Sequence, residues 1–177
     1  MKIRILIAFS ILSISMVNAQ EIGYITGVNK LGVSPSLFQP FYGFSIGAKV
    51  YKYVNIETNM YYSQRSIGST PLADYLSFVL MPKIGNFNNK LSVFYGPGFV
   101  LNPTLNHSAT QNHTYVSTLQ TIGIQFSIGK HLIADAKVGQ DIGLTGGYYV
   151  NNEWTKYSGP MVMLGLKLNL GSLEKSK

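Results

Sequence analysis

From Glu21 onward the chain repeats one pattern. Short runs in which apolar and polar residues alternate with period two are separated by segments rich in Asn, Gly, Ser, Pro and Thr, and no stretch keeps a helical period. The pattern predicts an all-β domain with strands near 21–30, 43–52, 55–65, 75–85, 90–101, 118–129, 131–143 and 160–170. The connections alternate in length. Tyr53-Val54, Asn86 to Asn89 and Lys130-His131 are tight, whereas Leu31 to Tyr42, Ser66 to Asp74, Asn102 to Ser117 and Thr145 to Gly159 are long. Strict alternation puts every long connection at one end of the sheet, and short turns facing long loops with an even strand number is the layout of a transmembrane barrel. The expected fold is therefore an eight-stranded antiparallel up-and-down transmembrane β-barrel, with both termini at the tight-turn end.

Within each predicted strand one parity is oily. Phe44, Ile46, Ala48 and Val50 oppose Gly43, Ser45, Gly47 and Lys49; Leu76, Phe78, Leu80 and Ile84 oppose Ser77 and Lys83; Leu91, Val93, Tyr95 and Phe99 oppose Ser92, Gly96 and Gly98. Alternation alone also fits a soluble lipocalin-like barrel with the oily parity inside. Two features favour lipid outside. The polar parity is crowded with Gly, which weakens an exposed strand but makes room inside a narrow barrel. Charged residues are 12% of the chain against about 25% in soluble domains, while Tyr (12), Phe (9) and Gly (18) are plentiful. Closure would pair the backbone groups that hydrocarbon cannot hydrogen-bond. On the oily parity Tyr42, Tyr62 and Phe99 fall near the loop ends of their strands and are candidates for an interfacial aromatic girdle.

Residues 1–19 read as a cleavable secretory signal peptide: Lys2 and Arg4, an apolar run from Ile5 to Ile14, then Val17-Asn18-Ala19. That run is too short for a membrane-spanning helix of roughly 20 residues. Residues 20–170 form the expected barrel domain and 171–177 a polar periplasmic tail. The chain has no Cys, which excludes disulfides, thiolate metal sites and a lipoprotein anchor. The formal charge is +7, with basic residues scattered rather than clustered, so no nucleic-acid partner is expected.

Three stretches resemble the PorT-like outer-membrane β-barrel family: Asn59-Met-Tyr-Tyr-Ser-Gln-Arg65; Tyr75-Leu76 through Lys83 with Val93-Phe-Tyr-Gly-Pro-Gly98; and Ile122-Gly-Ile through Ile133-Ala-Asp135 to Gly143-Leu144-Thr145. The chain departs from that pattern at Val79, where a proline is common, and at Leu170, where the last strand often ends on an aromatic residue. The resemblance implies a barrel and an outer-membrane location, and no particular cargo.

The inward parity collects Glu21, Lys49, Glu57, Lys83, Asp135, Lys137, Asp141 and Lys167, a predicted lumen charge network whose balanced signs suit mutual pairing that fills and locks the barrel. The other reading of the same charges is a narrow ion or solute path. Asn106-His107-Ser108 and Asn112-His113-Thr114 form a near repeat, but without a third ligand nearby they read as a solvated loop rather than a metal site. Ser108 beside His107 does not make a triad, because nucleophile, base and orienting group must converge in space. Gly123 to Lys130 has one residue too many between its glycines for a phosphate-binding loop, and His131 stands where Ser or Thr belongs. Gly146-Gly147 before Tyr148-Tyr149, with Trp154 beyond, reads as flexible loop with aromatic contact area. No catalytic, cofactor-binding or metal residues are expected. The sequence thus points to a non-enzymatic barrel displaying loops for surface interaction, envelope integrity or complex assembly, with a channel and a lipid-modifying enzyme as alternatives. Its expected partners are outer-membrane lipids, the barrel assembly machinery during biogenesis and an unidentified envelope protein.

Overall fold

The computed structural model describes residues 20–29, 39–67, 70–87, 90–107, 114–145, 148–150, 153–155 and 158–170. The leader 1–19 and the tail 171–177 lie outside them. The strands are β1 (Glu21–Asn29), β2 (Gln39–Tyr51), β3 (Val54–Ile67), β4 (Thr70–Gly85), β5 (Leu91–His107), β6 (Thr114–Ile128), β7 (Leu132–Thr145), β8 (Tyr148–Val150), β9 (Glu153–Thr155) and β10 (Ser158–Asn169). Eight of them close into an antiparallel barrel in the order β1-β10-β7-β6-β5-β4-β3-β2, while β8 and β9 pair separately as a hairpin. Closure is made by β1 against β10, in register from Glu21↔Asn169 to Asn29↔Met161.

The tight turns fall where the sequence puts them. At the β6–β7 turn Gly129 takes φ 66, a left-handed conformation that a residue with a Cβ adopts at a cost. The long connections are shorter than expected, because the strands continue past the oily band. The β3–β4 ladder runs to Ile67↔Thr70, so the loop expected over 66–74 is mostly paired strand, and β5 extends to His107. Within the span expected as a loop from Thr145 to Gly159, β8 and β9 form their hairpin. Loss of oily alternation marks where a strand leaves the apolar band; backbone pairing continues beyond it.

The seam between β4 and β5 differs from the others. Register is kept from Leu80↔Phe99 to Ile84↔Tyr95, which sets Pro82 directly opposite Pro97, yet the intervening residues are not paired. Neither proline has the N–H that would close the ladder there. Pro103 stands opposite Leu76 in a second such gap, between Tyr75↔Thr104 and Phe78↔Leu101. Inside that gap the Ser77 hydroxyl donates to Asn102 Oδ1, a side-chain stitch where backbone bonds are missing.

The two parities part as the alternation requires. The oily parity is outside: Val93, Ile122, Leu164 and Leu166 are each more than half exposed. Inside, glycine clears space for its neighbours. A Cβ on Gly27 or Gly123 would strike the ring of Phe41 or Phe94, and one on Gly165 would strike the Asp135 carboxylate.

Candidate functional site

The lumen is built in layers. At the tight-turn end lies a buried ion cluster; above it an apolar cluster of Ile25, Phe41, Tyr61, Val79, Met81, Val100, Leu119, Met161 and Met163 fills the middle. Nearer the loop end the buried inward residues turn polar again, with Asn29, Ser63, Ser77, Asn102, Ser117 and Asp141. The sequence predicted a polar lumen throughout. The apolar layer corrects that expectation: these residues are the inward-facing exceptions, scattered over seven strands, that closure brings to one level.

In the ion cluster two carboxylates serve three ammonium groups. Lys83 Nζ lies 3.2 Å from Glu57 Oε2 and 3.5 Å from Asp135 Oδ2, and donates to Gln125 Oε1 at 2.7 Å. Lys137 donates to Glu57 Oε1 and sits 3.2 Å from Asp135 Oδ2. Lys167 donates to Glu57 Oε2, and to Asp135 Oδ2 at 2.9 Å. Asn59 Nδ2 donates to Glu57 Oε1 at 2.9 Å, and Glu21 joins at the rim with Oε2 3.9 Å from Lys167 Nζ. Lys83 Nζ also lies 4.3 Å from the centre of the Phe94 ring, a favourable cation–π contact. Counting Glu21, the charges cancel, and every ammonium reaches both central carboxylates, the arrangement that makes burial of ions tolerable.

The register explains how five strands supply this cluster. Gly165 stands beside Asp135, and Gly23 beside Lys167, so the long charged side chains lean over neighbours that have none. Of the eight charged residues predicted for the lumen, the structure brings Glu21, Glu57, Lys83, Asp135, Lys137 and Lys167 together. Lys49 is exposed at the tight-turn end of β2 rather than enclosed, since the Tyr51–Val54 turn begins just beyond it. Asp141 is buried, but six residues further along β7 than Asp135 and so on the other side of the apolar layer, roughly 20 Å along the strand at the usual rise.

On the outer surface Tyr42 and Tyr62 are cross-strand partners with ring centres 5.5 Å apart, and Tyr42 and Phe99 are about half exposed. The sequence reading missed a matching set at the tight-turn end, where Tyr51 and Tyr53 are exposed and Lys52 Nζ lies 5.0 Å from the Tyr53 ring centre. Tyr51 ends β2 and Lys52 and Tyr53 form the turn after it, so the set breaks the alternation that guided the reading. The Gly123 to Lys130 segment is strand and turn, with no helix after it. Ser108, His113 and Gly146-Gly147 lie outside the described residues, and of His107 and Trp154 only the backbone is described, at the end of β5 and in β9.

Neisserial surface protein A (NspA) matches the barrel with a TM-score of 0.64, over 84% of this chain and 96% of that one, at 12% sequence identity. The fold is that of an outer-membrane eight-stranded β-barrel. The N-terminal β-barrel domain of Pseudomonas aeruginosa OprF (TM-score 0.53, 14% identity, 85% of this chain and 97% of that one) matches it as well. So does the outer membrane protein OprG from the same organism (TM-score 0.51, 9% identity, 85% and 96%). No protein-family model matches the chain, and no curated protein matches it significantly in sequence. At such low identity the outer-membrane barrel is shared as architecture only, and the cluster in its lumen must be read from its own chemistry.

Proposed function

We propose that the protein is an integral barrel of the bacterial outer membrane, exported by the leader 1–19, that works without catalysis as a lipid-anchored scaffold. It presents the connections at its loop end for surface interaction, envelope integrity or assembly of an envelope complex. The observation that carries this reading is the apolar layer between the ion cluster and the upper polar residues. An ion passing it would have to shed water against Met81, Leu119, Met163 and their neighbours, a step that hydrocarbon-like surroundings make costly. The cluster below is neutral overall and internally bonded, which suits a lock that fixes strand positions rather than a relay. Kinship with the PorT-like barrels belongs to the same proposal, supported by the stretches around Tyr61, Val93 and Ile122.

Reconstitution into planar bilayers tests the scaffold against a conducting lumen. The scaffold gives no steady unit conductance; a conductance that changes with Glu57→Gln or Lys83→Met would overturn it. Crosslinking in intact cells, followed by identification of captured proteins, would then name the envelope partner.

A further inference from the structure

Gln120 and Gln140 break the pattern of the outer face. Both lie on the parity of Ile122, Ile124, Val138 and Ile142, and they are direct cross-strand partners between β6 and β7. Among the described outward residues of β6 and β7 they are the only carboxamides, and none of those residues is charged. Gln140 is exposed, whereas Gln120 is half-buried and accepts a hydrogen bond from the Tyr95 hydroxyl through Oε1. That bond uses one acceptor and leaves the Gln120 amide hydrogens, with the whole Gln140 amide, facing outward. Ile142 and Leu144 beyond Gln140, and Val138 and Ile122 before the pair, are all exposed apolar residues. Along β7 the Gln140 amide is thus flanked on both sides by exposed apolar residues.

We propose that the barrel associates with a second copy of itself through the outer face of β6 and β7, with the Gln140 and Gln120 amides at the centre of the contact. The inference rests on the reading that this face meets hydrocarbon, where a bare amide is costly and a hydrogen-bonded one is not. Two further features favour a second copy as occupant. A carboxamide is its own complement, donor to acceptor, so a two-fold contact satisfies both copies with identical residues. The face carries no charge, so an ionic partner would find no counter-charge on it. The approach is also open: below Gln140, β7 shows Ala134 and Ala136 on the same face, small residues that let two walls come close.

Cysteine substitution tests this in a chain that has no cysteine of its own. Gln140→Cys should form a disulfide-linked dimer in isolated membranes under mild oxidation. Met60→Cys, outward on β3 across the barrel from β7, should stay monomeric. No dimer at Gln140→Cys, or equal dimer at both, overturns the interface. The double variant Gln120→Leu with Gln140→Leu, labelled and followed by energy transfer in phospholipid vesicles, should lose about tenfold in association, the scale of one interchain hydrogen bond in lipid. Heat-modifiable gel mobility reports separately on the inserted barrel. If it is kept while association is unchanged, the interface is wrong; if the wild type lacks it, the membrane reading itself is wrong. Association that appears only with added lipopolysaccharide would assign the amides to a glycolipid and overturn the self-contact.

Discussion

Glu57 and Lys167 stand 110 residues apart in the chain and are joined across the lumen by a charge-assisted hydrogen bond. Lys83 and Lys137 reach the same carboxylate from two further strands, so one acid fixes the relative positions of four walls. Glu57→Gln leaves three ammonium groups with Asp135 and the rim carboxylate of Glu21. The expected loss is about 3–5 kcal/mol of unfolding free energy, the scale for stripping one partner from a buried ion group. Urea unfolding in detergent micelles or lipid vesicles measures it. A loss below about 1 kcal/mol, the level of a surface pair, would show that the cluster does not hold the barrel.

Adding Lys137→Met to Glu57→Gln removes one of the stranded charges. The double variant should be more stable than Glu57→Gln alone, and the coupling should be of the order of 1–3 kcal/mol in a double-mutant cycle. Simple additivity would mean that Lys137 and Glu57 do not act as a unit.

Gly165 leaves room for the Asp135 carboxylate, which a Cβ at that position would strike. Gly165→Val should therefore cost about 1–3 kcal/mol through overpacking, although valine is the better strand former. The same unfolding measurement should show the loss, and an unchanged or raised midpoint would contradict the packing described.

At the β4–β5 seam Pro82 and Pro97 face each other without a closing N–H. Replacing both, as Pro82→Val with Pro97→Val, should restore ladder bonds and raise stability by about 1–3 kcal/mol, at roughly 0.5–1.5 per bond. Amide exchange of the neighbouring backbone should slow at the same time. Unchanged exchange would place the weakness of the seam elsewhere.

Much of this architecture was legible in the residues. Period-two alternation marked the strands and their two faces, because a side chain on a strand has only two directions to point. The charges of the cluster were legible as inward-facing for the same reason. Their level along the barrel was not, since it depends on the stagger of eight strands, which alternation leaves open. Alternation accordingly groups Lys49 and Asp141 with Asp135, although one ends at the exposed turn and the other lies across the apolar layer. That layer was hidden too: Ile25, Tyr61, Val79 and Met81 read one by one as exceptions to a polar parity, and only closure makes them neighbours. Alternation does not single out Gln120 and Gln140, because each is a single polar residue on an oily strand, and their pairing is a matter of register.

The central claim is that the uncharged outer wall is solvated by hydrocarbon. Removing detergent from the purified, folded protein tests it most directly, with light scattering as the readout. The account predicts that the protein aggregates unless lipid vesicles or amphipathic polymer take the detergent's place. A folded, monodisperse protein in plain aqueous buffer would contradict it.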